Sequence, residues 1–190
     1  MKASINEANP LFQKSKTDES ELIILVEKAW NCQLYPTPDY ACIDAIAYRD
    51  NKLVAVMEMK SRNFGLEKVK KDYDNKLIAR LDKFEKGKQL SALLQVPFLI
   101  VSYLTESKHI FFWKITDKSG FVAVNFEVEM MYVPTSIEKK SSAMRSNIKL
   151  DLCNAKEMKI ETIHDHTPTE NELIALTLLE SDKHPYCLHT

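Results

Sequence analysis

Apolar residues recur along this chain at two spacings, and each change of spacing marks an element. After Thr17 or Asp18, either of which can cap a helix, Leu22, Ile23, Val26 and Trp30 recur at helical intervals. Tyr35-Pro36-Thr37-Pro38 then breaks the helix and holds the chain extended. Two strands follow, at about 41–48 and 53–60, joined at Arg49-Asp50-Asn51-Lys52. The second opens Leu53-Val54-Ala55-Val56-Met57, apolar on both faces, the pattern of a central strand in a sheet covered on both sides.

Residues 64–81 carry no clear period, with charged positions from Glu67 to Asp74 before apolar Leu77, Ile78 and Leu81. The signal returns at Asp82, where Asp82 and Glu85 have capping-box spacing and Phe84, Leu90, Leu93 and Leu94 form a helical stripe. Pro97 leads into a buried strand over Phe98–Leu104, and His109–Ile115 makes the next. Helix, hairpin, helix, strand, strand describes an α/β sandwich with a mixed central sheet. Beyond Phe121, strand-like runs at 121–133 and 148–163 flank a polar loop rich in Lys and Ser, which reads as an added hairpin arm. Thr167 or Thr169 starts a last helix through Leu173, Ile174, Leu176, Leu178 and Leu179. The expected division is a loose arm over 1–16, a core over 17–124 and a C-terminal hairpin and helix extension over 125–190.

Composition narrows the setting. The 190 residues, 45% hydrophobic and 28% charged, suit one soluble domain with an appendage. No apolar run approaches membrane-spanning length, and the first residues lack the basic-then-apolar order of a signal peptide, so a cytoplasmic protein without a membrane partner is expected. Cys32, Cys42, Cys153 and Cys187 form no CxxC pair, which argues against structural zinc and gives no sign of disulfides. A net charge of -1 offers no general attraction to nucleic acid, so any such binding needs local basic patches.

The chemistry concentrates where the apolar strand ends in Glu58-Met59-Lys60. Residues two apart on a strand share a face, so Glu58 and Lys60 project together. Asp44 joins them only if paired residue numbers across the hairpin have an even sum; a three-residue loop over Asp50, Asn51 and Lys52 provides that, whereas a two-residue turn turns Asp44 to the other face. Phosphodiester hydrolysis needs an attacking water, stabilised phosphoryl oxygens and help for the leaving oxygen. Mg²⁺, with Mn²⁺ as a substitute, prefers oxygen ligands and keeps several waters, so Asp44, Glu58 and the backbone carbonyl of Met59 make a sufficient inner shell. Lys60 would contact the water or the phosphate. Glu19 lies at helical intervals before Leu22, Ile23, Val26 and Trp30, which places it on the buried face near the helix start, within reach of the metal directly or through water.

Together, Asp44 and Glu58-Met59-Lys60-Ser61-Arg62-Asn63, with Asp18-Glu19 in the first helix, Leu81-Asp82-Lys83-Phe84 and Val96-Pro97-Phe98, resemble the PD-(D/E)xK nuclease superfamily, in particular its Holliday-junction-resolvase-like and small phage-type members. The resemblance covers about residues 17–116. It implies a restriction-endonuclease-like core, αβββαβ, with helices flanking the mixed sheet. The implied activity is metal-dependent hydrolysis of DNA, with Glu19, Asp44, Glu58 and Lys60 as catalytic residues. It also implies that Lys83 lines the cleft and binds the phosphate backbone, and Arg62 falls just past the metal motif, placed to touch DNA. The first-strand motif reads Cys42-Ile43-Asp44 and lacks the Pro of the superfamily's name, while Pro38-Asp39 stands five residues earlier, before the strand.

The rival reading is a catalytically silent nucleic-acid-binding or assembly module on the same fold. Junction resolution would need two centres facing two strands, which leaves a homodimer open. Lys139, Lys140, Arg145 and Lys149 suggest a second contact to a duplex, by composition alone. His164-Asp165-His166, without a third ligand, reads as structural or incidental.

Overall fold

A central strand apolar on both faces must be covered twice, and the chain meets that demand with a helix on one side and a helix plus a second sheet on the other. The computed structural model describes residues 10–38, 41–134 and 142–161. Helix α1 spans Pro10–Trp30, followed by strands β1 (Gln33–Pro36), β2 (Ala45–Arg49) and β3 (Lys52–Arg62). Helix α2 (Leu66–Asp72), strand β4 (Lys76–Arg80) and helix α3 (Leu81–Leu94) lead to β5 (Phe98–Leu104) and β6 (His109–Lys114). Strands β7 (Glu127–Pro134) and β8 (Ser142–Asp151) form a hairpin, and after a 3₁₀ turn β9 covers Lys156–Lys159.

The main sheet has the order β1-β2-β3-β5-β6-β9, and the smaller one β4-β8-β7. Strands β3 and β5 run parallel and all other neighbours antiparallel. A parallel neighbour needs a crossover, here α2, β4 and α3. The expected order of helix, three strands, helix and strand is met by α1, β1, β2, β3, α3 and β5, with α2 and β4 inserted. The fold is mixed α/β, a mixed central sheet flanked by helices.

All seven residues of β5 are buried, as a strand covered on both faces requires. Leu99, Val101 and Tyr103 meet Leu22, Leu25 and Val26 of α1 on one face. Phe98, Ile100 and Leu104 meet Phe84 of α3 and Leu77, Ile148 and Leu150 of the small sheet on the other. Gly87 in α3 has a packing reason, since a Cβ there would lie 2.4 Å from the ring of Phe98.

Three expectations change. The first helix begins at Pro10, so Glu19 sits well inside it and not near its start. The unreadable stretch contains α2 and β4, and β4 pairs with β8. The strand-like run at 148–163 is divided, its first part ending β8 at Asp151 and its later part forming β9 on the edge of the main sheet. The last helix, His164 to His166, Lys139 and Lys140 lie outside the described residues. Among the described residues no helix is long and apolar enough to cross a membrane.

Candidate active site

The register of the β2–β3 hairpin decides whether the acidic residues meet. Asp50 and Asn51 both have positive φ, 50° and 61°, and form a two-residue turn between the paired Arg49 and Lys52. Asn and Asp tolerate this conformation, and the twist of such a turn matches that of the strands. The expected three-residue loop is therefore corrected to two, a turn that alone would carry Asp44 to the wrong face. Val54 reverses the outcome: it is an extra residue between the pairs Tyr48–Leu53 and Ala47–Ala55, a β-bulge that shifts the register by one. Beyond it Ala45 faces Met57, and Asp44 is next in line to Glu58, on the same face of the sheet.

Backbone contacts hold Asp44 where β2 begins. Its N–H donates to the Met57 carbonyl at 2.9 Å and its carbonyl accepts from Thr37 N–H at 2.9 Å. The Thr37 hydroxyl bonds the Ile43 carbonyl, so the segment between the two prolines clamps the strand entry. Asp44 Oδ2 accepts the N–H of Met59 at 2.9 Å. In an extended strand a residue's N–H and C=O lie on the same edge, so the Met59 carbonyl is also turned towards Asp44.

Lys83, from the first turn of α3, closes the cluster. Its Nζ donates to the Ala41 carbonyl at 2.8 Å and stands 3.5 Å from Asp44 Oδ1 and 3.4 Å from Glu58 Oε2. Burial pushes the Glu58 carboxyl up to about 7, the negative charge of Asp44 adds to the shift, and Lys83 opposes it. Glu58 therefore takes up a proton more readily than a free carboxylate does. Glu58 Oε2 is buried without a hydrogen-bond partner. A buried carboxylate oxygen already facing a cation, the Lys83 ammonium, with an opposed carboxylate and an adjacent carbonyl, fits a hard divalent cation. Among the described residues no three His, Cys, Asp or Glu side chains cluster, so backbone and water would complete its shell.

The remaining predicted residues are less closely joined. Lys60 is exposed, on the same face as Glu58 and two residues nearer the strand end. Arg62 turns inward: Nη2 bonds the Ile78 carbonyl, Nε is buried without a partner, and burial holds the guanidinium down to about 10. It ties β3 to β4 and is half-buried. Glu19 is exposed and makes no hydrogen bond or ion pair with Asp44, Glu58 or Lys83. Its neighbour Asp18 accepts the Ser61 hydroxyl at 3.2 Å, which puts Glu19 level with the end of β3 but on the α1 side of the sheet, opposite Glu58. The contribution of Ala41, whose carbonyl anchors Lys83, carries no sequence signal because any residue supplies a carbonyl.

No protein-family model and no curated protein matches the chain. Among solved structures, the Holliday junction resolvase Hjc of Archaeoglobus fulgidus is similar at a TM-score of 0.47 and 14% identity, over 82% of this chain and 99% of that one. At that distance the likeness says nothing about chemistry, which rests on the side chains above.

Proposed function

We propose that this chain is a metal-dependent nuclease of the PD-(D/E)xK type that hydrolyses DNA phosphodiester bonds, in recombination, repair or DNA processing. The observation that carries the reading is the convergence of Asp44, Glu58 and Lys83 at the end of a buried strand, where Glu58 Oε2 is buried with the Lys83 ammonium 3.4 Å away. Asp44, Glu58 and the Met59 carbonyl would hold Mg²⁺ or Mn²⁺. When bound, the ion supplies Lewis-acid stabilisation of the phosphoryl oxygens and lowers the pKa of a bound water. Asp44 is held by the Met59 N–H, which fixes the carboxylate before any ligand arrives. Lys83, anchored on Ala41, stabilises charge at both carboxylates. Lys60 is free to reach the scissile phosphate or its attacking water from the open side.

A second reading has its own observation. Lys83 already bridges both carboxylates, so the cluster could serve as a structural ion network on a silent DNA-binding module. The two separate in one panel: plasmid, linear duplex, single-stranded and branched DNA, incubated with Mg²⁺, Mn²⁺ or EDTA. The nuclease gives products with a divalent ion, none with EDTA and none from Lys60→Ala. Cleavage unchanged in Lys60→Ala removes the assignment, and binding without cleavage under every condition supports the silent module.

A further inference from the structure

The second hairpin breaks the burial rule. Strand β8 pairs with β4 only from Asn147 onward, opposite Arg80, and Arg80 leads directly into the turn of α3 that carries Lys83. Residues of β8 before Asn147, with their β7 partners, extend past the end of β4 as a two-stranded wing. The pairs Val128–Ile148, Met130–Ser146 and Tyr132–Met144 place one row on the face that carries Ile148 and Leu150. That face looks at α3 and the main sheet, where Ile148 and Leu150 are 0% and 1% exposed. Further out, the same row is uncovered: Val128 is 56%, Met130 64%, Tyr132 70% and Met144 46% exposed. The opposite face carries Glu127, Glu129 and Lys149, with Met131, Arg145 and the buried Asn147.

Resting on the nuclease reading, we propose that this row is a stacking platform for unpaired bases of the DNA strand entering the site. The substrate would then be DNA with a single-stranded or splayed segment next to the scissile phosphate. An aromatic ring and two thioethers offer faces to any base but no donors for phosphate, whereas a continuous duplex presents phosphates and hides its base faces. The position fits, since the wing departs from β4 opposite Arg80, the residue that precedes the first turn of α3, where Lys83 stands. A second copy fits less well. Strand addition at the β7 edge would leave this face uncovered. The four side chains expose on the order of 400 Å² against roughly 800 Å² per partner in a stable interface.

The test uses the full chain in EDTA, with oligonucleotides carrying 2-aminopurine as single strands, splayed forks and blunt duplexes. The wild type is expected to bind single strands and forks more tightly than duplex and to quench the 2-aminopurine. Met130→Ala with Tyr132→Ala should weaken binding to single strands and forks by about five-fold to a hundred-fold. The salt dependence, set by phosphate contacts, and binding to blunt duplex should not change. Tyr132→Phe should retain the quench, and melting temperatures establish that each variant is folded. Equal affinity of the double variant for single strands, or an equal loss on all three DNAs, overturns the proposal. So does a wild-type dimer that the double variant converts to monomer with DNA affinity unchanged, which would assign the face to a second copy. Failure of the nuclease reading is distinct: no cleavage with Mg²⁺ or Mn²⁺ while the quench in EDTA persists.

Discussion

Two antiparallel hairpins of this molecule treat the same alphabet in opposite ways. In β2–β3, Ala45, Ala47, Ala55, Val56 and Met57 are at most 2% exposed, and the charged groups stand at the two ends, Arg49 and Lys52 at the turn and Asp44 and Glu58 beyond the Ala45–Met57 pair. In β7–β8 Glu127, Glu129 and Lys149 share the face opposite Ile148, while apolar Met130 and Tyr132 stand in solvent. A strand buried on both faces tolerates charge only at its end, so Asp44 and Glu58 are costly there and imply a function beyond folding. An apolar row left uncovered implies, by the converse argument, a ligand. The wing departs from β4 opposite Arg80, the residue before the helix that carries Lys83.

The sharpest way to break the comparison is to neutralise the buried charges. Asp44→Asn or Glu58→Gln should lower divalent-dependent cleavage by about 100-fold to 10,000-fold with circular dichroism unchanged. Loss of fold in parallel with cleavage would mean the carboxylates serve structure alone. Next in size is packing in the covered region. Gly87→Ala gains about 1 kcal/mol of helix propensity but drives a Cβ into the Phe98 ring, an overpacking penalty of roughly 1–3 kcal/mol. A net fall in urea midpoint is expected, and a rise would show that the ring moves aside freely.

Smaller still is a pH effect in the absence of divalent ions. The Glu58 carboxyl titrates near 7 in the folded chain against 4.5 in the unfolded one, so the folded state binds the proton more tightly. Glu58 therefore adds stability as pH falls from about 7 towards 4.5, and that contribution is lost as pH rises through 7. The difference between wild type and Glu58→Gln in thermal melts isolates it; parallel melting curves from pH 5 to 8, a window set by those two values, would refute the raised Glu58 carboxyl. Smallest is the wing, where Tyr132→Ser should change folding stability by no more than about 0.5 kcal/mol, since an exposed side chain has little packing to lose. A larger loss in chemical denaturation would mean the row is part of the core.

Alternation and parity made Asp44, Glu58 and Lys60 legible, because a charge at the end of an apolar strand is visible in the letters themselves. The means was not: the sequence allowed either loop, and the two-residue turn with a bulge at Val54 reaches the even register by another route. Strand β4, Lys-Leu-Ile-Ala-Arg, escaped because it is short, charged at both ends and paired with β8 far along the chain. Glu19 continued the stripe of Leu22 and Val26 by spacing, yet at its height the sheet is ending beside Ser61 and nothing covers it. Arg62 has the strand end in its favour, and its bond to the Ile78 carbonyl comes from β4, an insertion whose pairing no local pattern announced.

The most direct measurement is Mn²⁺ binding at pH 7.5, followed by the loss of the free-ion paramagnetic resonance signal. If Asp44 and Glu58 share a metal, the wild type and Lys60→Ala each take up one ion, and Asp44→Asn and Glu58→Gln take up none in the same concentration range. Equal uptake by all four proteins, or uptake by none, would contradict the assignment of this corner as a metal centre.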